Sequence, residues 1–109
     1  MHSDEPHLDE MTLAAVMAAL SDPMRVAIVR QLAAEGERTC GTFELGISKA
    51  TRSHHFRVLR EAGITHTRAE GTHRHVSLRR EDVDARFPGL LDAVLIAAER
   101  EAGATAVPA

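Results

Sequence analysis

Glycine, proline and helix-capping residues cut this chain into short pieces, and that punctuation restricts the fold more than any other feature. Ser21-Asp22-Pro23 interrupts the first apolar periodicity and Gly36 closes the second. Gly46 and Ser48 frame the start of the next segment, Gly63 ends it, and Gly71 and Pro88-Gly89 follow. Asp22 can cap a helix, and Pro23 suits a first helical position, where its missing N–H costs nothing. Ser48 reads as a further N-cap, and Gly36 and Gly63 as residues that close a helix. A chain of 109 residues has room for one domain and one core.

Between these breaks, periodicity names the elements. Met11, Leu13, Val16, Met17 and Leu20 recur at three- and four-residue steps and predict a helix from Asp9 to Leu20. A second helix is expected from Pro23 to Ala34, with Met24, Ile28, Val29 and Leu32 inward. A short helical element around Thr39–Glu44 leads to a helix over Lys49–Ala62, with Phe56, Leu59 and Ala62 facing the core. Ile64–Ala69 and Thr72–Leu78 alternate on either side of Glu70-Gly71, as in a β-hairpin. Helical pattern returns at Glu81–Arg86, restarts after Pro88-Gly89 and runs to about Ala102. Residues 1–8 read as a flexible arm, 9–102 as the domain and 103–109 as a disordered tail. Three Phe and no Tyr or Trp leave the core to Leu, Ile, Val, Met and Ala, a mixture that favours helix over sheet. The expected fold is mainly α with a small β-hairpin.

The net charge of -3 conceals a sharp division. Residues 49–80 carry eight Lys and Arg against Glu61 and Glu70, net +6, while the flanks carry net -5 and -4. Five of the seven histidines also lie in the basic third. A local positive stripe matters for phosphate binding, and the whole-chain charge does not report it. A short helix, a turn and a basic helix followed by a hairpin is the order of a winged helix-turn-helix, whose second helix enters the major groove of DNA.

Other classes fit poorly. The lone Cys40 excludes an internal disulfide framework and suits a reducing cytoplasm. The N-terminus is acidic where a secretion signal needs basic residues. No apolar run approaches the roughly 18 residues of a membrane span. The expected location is therefore cytoplasmic, with no membrane partner. No Gly-rich phosphate loop, nucleophile elbow or HExxH motif is present, so an enzyme is not expected. Ser53-His54 is no triad, because neighbouring helical side chains diverge.

Three separated stretches resemble one family. Ile47-Ser48-Lys49-Ala50-Thr51-Arg52-Ser53-His54-His55-Phe56-Arg57-Val58-Leu59-Arg60-Glu61-Ala62-Gly63-Ile64 resembles the DNA-reading helix of the ArsR/SmtB-like transcriptional regulators. Ala19-Leu20-Ser21-Asp22-Pro23-Met24-Arg25 resembles that family's first helix junction, and Glu70-Gly71-Thr72-His73-Arg74 its wing. The resemblance runs in order over roughly residues 9–100. Arg52 stands where the family usually has an apolar residue, the element before it is about two residues short, and the tyrosine common in the second wing strand is missing.

At the start of the basic helix, Ser48, Lys49, Thr51, Arg52, Ser53 and His54 are able to meet base edges and phosphates. Arg57 suits a backbone contact, and His55 is either DNA-facing or buried and hydrogen-bonded beneath the helix. Arg68, His73 and Arg74 would reach backbone or minor groove from the wing. The stripe of Leu90, Leu91, Val94, Leu95 and Ala98 is wider than one small core needs. The resemblance implies pairing of the first and last helices across a two-fold axis, with Leu13, Val16 and Met17 on the other side of that interface. The partner would be double-stranded DNA carrying a palindromic operator.

Many relatives bind transition metals, yet neither of the family's usual sites is complete here: Cys40 stands alone and the last helix has no histidine. Two other sets are candidates for Zn or Ni. One is His66, His73 and His75 on the hairpin, sharing a face only if the turn register allows; the other is His2, His7 and Cys40. Cys40 as a redox switch would require an exposed, acidic thiol, and most lone cysteines are small buried hydrophobes. The reading is a homodimeric repressor released by an inducer. The alternatives are a winged-helix protein-interaction module and a regulator whose signal is sensed by a co-regulator protein. The +6 segment argues against the module.

Overall fold

Local caps decide where the helices of the computed structural model begin; it describes residues 5–43 and 46–106, with side chains as far as Gly103. Thr12 Oγ1 accepts the Ala15 N–H at 3.2 Å and starts α1, Leu13–Ala19. The helix expected from Asp9 is thereby split. A 3-10 turn, Leu8–Glu10, precedes α1 and is capped by His7, whose Nδ1 accepts the Asp9 N–H at 3.3 Å. Asp22 Oδ1 accepts the amides of Met24 and Arg25 at 2.8 and 3.3 Å, and Pro23 opens α2, Pro23–Glu35. Ser48 Oγ accepts the Thr51 N–H at 3.1 Å and starts α3, Lys49–Ala62, which Gly63 closes at φ 91°. These caps satisfy donors that the first turn of a helix leaves open.

The segment between α2 and α3 departs most from expectation. Arg38–Thr39 is extended (β1) and Cys40–Thr42 is a single 3-10 turn, in place of the short helical element expected around Thr39–Glu44. Glu44 and Leu45 lie outside the described residues. β1 joins the expected hairpin, so the sheet has three antiparallel strands in the order β1-β3-β2, with β2 Thr65–Glu70 and β3 His73–Leu78. Glu70 pairs with His73, which makes Gly71-Thr72 the two-residue turn, one position later than expected. Gly71 has φ 61° and, among the described residues, no non-glycine residue has positive φ, the II′ pattern whose twist matches the strands it joins.

After the sheet come α4, Arg80–Arg86, and α5, Leu90–Ala106. α5 continues past Gly103, where a disordered tail was expected. Alanines are the best helix formers, and one glycine costs only about 1 kcal/mol. The other end is also more ordered than expected. Glu5 and Pro6, assigned to the flexible arm, bond to the hairpin and to Arg79.

The core joins α1 (Val16, Ala19), α2 (Ile28, Val29, Leu32), α3 (Phe56, Leu59, Ala62), the sheet (Val76), α4 (Val83) and α5 (Leu91). Phe43 closes it from the loop before α3, edge-on to Phe56 with ring centroids 5.1 Å apart. Val16 and Leu91 are fully buried within one chain. They belong to this core and are unavailable to an interface between copies, which corrects their assignment to the dimer surface.

Candidate nucleic-acid interface

The capped start of α3 faces solvent. Lys49, Thr51, Ser53, His54 and Arg57 are exposed, while Arg52 and Arg60 are half-buried. Between α3 and the hairpin lies a cleft of about 730 Å³, walled by Lys49, Arg52, Arg57 and Arg60 on the helix side and by His73 and Arg74 on the hairpin side. Cys40 and Phe56 also line it. Guanidinium and ammonium groups converge there beside a helix N-terminus, whose dipole adds positive potential. Ser48 is engaged as a cap: its Oγ accepts from the Thr51 amide and donates to Thr51 Oγ1 at 2.9 Å.

The hairpin register sorts the remaining candidates. Thr67 pairs with Val76 and Ala69 with Arg74, so these four share the face turned towards the core and the cleft. His66, Arg68, Glu70, His73, His75 and Ser77 share the other face, and of these only His73, next to the turn, also lines the cleft. Arg68 is already occupied: it donates to Glu70 Oε2 at 2.6 Å and to Glu37 Oε1 at 2.9 Å. Bonding to Glu37 and then Glu70 raises the Arg68 pKa, and the same bond from Arg68 lowers that of Glu70. A phosphate would compete with both carboxylates for the Arg68 charge.

His55 is a correction. It is 8 % exposed on the inner side of α3, with Nδ1 3.2 Å from Arg25 Nη1. Of the two sequence alternatives, the buried and hydrogen-bonded one holds, because one helical step turns His55 away from the exposed His54 towards the core. Arg25 carries no functional signal in the sequence beyond its place at the end of the first helix junction, Ala19–Arg25. Burial pushes the Cys40 thiol up, against the smaller opposing pull of Arg52, Arg74 and Arg60. The group therefore stays protonated at neutral pH, unlike reactive cysteines.

The metal candidates are dispersed. Ser77 stands opposite His66 and Arg68 opposite His75, so the two histidines share a face without facing each other. His66 Nδ1 lies 2.6 Å from Glu5 Oε1, and His75 Nδ1 lies 3.4 Å from Thr39 Oγ1. His2 lies outside the described residues, and His7 is a turn cap. Among the described residues, no group of three or more His, Cys, Asp or Glu is arranged to hold a metal ion.

Comparison with known proteins settles the class. A helix-turn-helix domain family matches residues 20–68. The "Uncharacterized HTH-type transcriptional regulator YceK" of Bacillus subtilis (strain 168) is 41% identical over 87 residues, covering 77% of this chain and 87% of that protein. The cadmium resistance transcriptional regulatory protein CadC homolog of Staphylococcus aureus is 43% identical over 75 residues, covering 67% of this chain and 62% of its own length. This chain belongs to the ArsR/SmtB-like family of helix-turn-helix transcriptional regulators. The crystal structure of a "possible transcriptional regulator for arsenical resistance" matches at a TM-score of 0.58 and 28% identity, over 89% of this chain and all of that one.

As an ArsR/SmtB-like protein it is a DNA-binding transcriptional regulator of winged helix-turn-helix fold, and not an enzyme. No helix among the described residues is long and apolar enough to cross a membrane. The fold also leaves apolar side chains unpartnered: Leu13 and Met17 on α1 and Ile96 on α5 are each about half exposed (49%, 55% and 51%). Ile96 was missed in the sequence, because the stripe that contains Leu91 and Leu95 drew attention to the inner side of the same helix.

Proposed function

We propose that this protein is a homodimeric operator reader that represses transcription and is released by an inducer. The observation that carries the reading is the cationic cleft between α3 and the hairpin, which suits a phosphodiester strand flanked by groove contacts. Lys49, Thr51, Arg52, Ser53 and His54 approach the major groove, with Ser48 holding the helix start. Arg57, Arg74 and His73 contact the flanking backbone, and Arg68 joins after leaving its carboxylates. The exposed Leu13, Met17 and Ile96, together with the partly exposed Leu90, Val94, Leu95 and Ala98 of α5, support pairing of α1 and α5 with a second copy. Two such helices would read half-sites about 34 Å apart. An inducer acts by binding more tightly to a dimer whose helices are wrongly spaced, and its effect is limited by that difference in affinity.

Fluorescence anisotropy with DNA from upstream of its own gene, against random DNA at two salt concentrations, tests this reading. The expected result is preference for the upstream DNA, weakened by salt. Arg74→Ala should weaken binding to every sequence alike and reduce the salt slope by about 1, while Arg52→Ala should cost about 1–3 kcal/mol and relax specificity. Equal binding to both DNAs at both salt concentrations would overturn the reading. Zn and Ni arms identify a metal inducer if either releases the DNA at stoichiometric concentration.

A further inference from the structure

Arg25 holds three helices together at one point. It belongs to the first turn of α2, where the Asp22 carboxylate accepts its amide. Its Nε donates to Ala19 O at 2.6 Å and its Nη2 to Ala18 O at 3.4 Å, both carbonyls at the end of α1. Its Nη1 stands 3.2 Å from His55 Nδ1 on the inner face of α3. A guanidinium only donates, so Nδ1 is the acceptor and the imidazole carries its proton on Nε2. His55 is buried, whereas its neighbour His54 is exposed at the cleft.

We propose that Arg25 is a positioning residue for DNA reading, which fixes the rotation of α3 against the end of α1 through His55 Nδ1. Apolar contacts bring the helices together but tolerate small rotations. A charge-assisted hydrogen bond is directional and defines one setting. Rotating α3 would lengthen the bond to His55 and turn Lys49, Arg52 and Ser53 out of register with the groove. Because the same guanidinium grips α1, a shift of α1 at the surface bearing Leu13 and Met17 reaches α3 through this link. The inference rests on the proposal that α3 reads DNA.

The test compares His55→Asn, whose Oδ1 replaces the Nδ1 acceptor, with His55→Leu, which removes it, and with Arg25→Leu. Anisotropy on upstream and random DNA is paired with thermal melting and 15N NMR of the His55 ring. In the native protein, Nδ1 should resonate as an unprotonated acceptor and Nε2 as the protonated nitrogen. His55→Leu and Arg25→Leu should lower the upstream-to-random preference by about tenfold, the scale of one lost charge-assisted bond. Their random-DNA affinity should be retained, and His55→Asn should restore most of the preference. A protonated Nδ1 overturns the proposal without reference to DNA. So does native-like preference in His55→Leu, or failure of His55→Asn to recover any of it. Parallel loss of melting temperature and of binding to both DNAs marks a merely structural role and also overturns it. A native protein without preference for upstream DNA removes the DNA reading and this inference with it.

Discussion

Gly63 answers to two constraints at once. Its φ of 91° lies in the region that side chains rarely adopt, and a Cβ there would stand 2.7 Å from Met11 Cγ and 2.9 Å from Met11 Sδ. Met11 is buried and has little room to yield. Gly63→Ala should therefore lose about 1–3 kcal/mol in a urea melt. Asp22 has a different physics. Burial pushes its carboxyl up, but the amides of Met24 and Arg25 and the charge of Arg25 outweigh that and hold its pKa below the ordinary carboxylate value. A depressed folded-state pKa adds stability above the unfolded value, and that stability disappears as pH falls through the folded one. Asp22→Ala should cost about 1 kcal/mol at neutral pH. The gap between variant and native melts should narrow below about pH 4; a gap that persisted in acid would contradict the carboxylate's role.

At the scale of elements, β2 is an edge strand, and the arm covers part of its edge. Glu5 Oε2 accepts the Thr67 N–H at 3.0 Å, and Pro6 O accepts from Arg79 Nη1 at 2.8 Å. An open edge offers unpaired amides to other chains, and such a cover removes one of them. The Glu5–His66 pair adds little by itself, since the His66 side chain is half exposed. The backbone bond is the better probe. Glu5→Ala should speed hydrogen exchange at the Thr67 amide by about fivefold, the effect of losing about 1 kcal/mol of local protection. Exchange in α3 should stay the same. A uniform increase throughout the domain would instead mean that the arm supports global stability.

At the scale of the whole molecule, the half-exposed Leu13, Met17 and Ile96 set an expectation for assembly. Met17→Glu or Ile96→Glu places a charge on the proposed interface while leaving the buried core untouched. Either variant should shift sedimentation towards monomer and reduce operator affinity by at least about tenfold, with little change in the far-UV spectrum. Native-like dimers in both variants would locate the interface elsewhere.

Much of this architecture was readable in the sequence because the forces responsible are local. The Asp22 and Ser48 caps reach two or three residues ahead, and Gly63 relieves a conformation at its own position. The limits of α3 and the inward set Phe56, Leu59 and Ala62 follow from helical period alone. The basic stripe over residues 49–80 needs no coordinates. The tertiary structure decided matters that depend on distant partners. His55 finds its partner in Arg25, thirty residues earlier, which offers its Nδ1 a donor. Arg68 is paired because β1 brings Glu37 alongside the hairpin. Val16 and Leu91 became core while Ile96 stayed outside, since period marks an apolar face but not the neighbour that covers it. A one-residue shift in the turn set which residue each histidine faces. Caps and period act within a few residues along the chain; burial, pairing and register are set by what folding brings together.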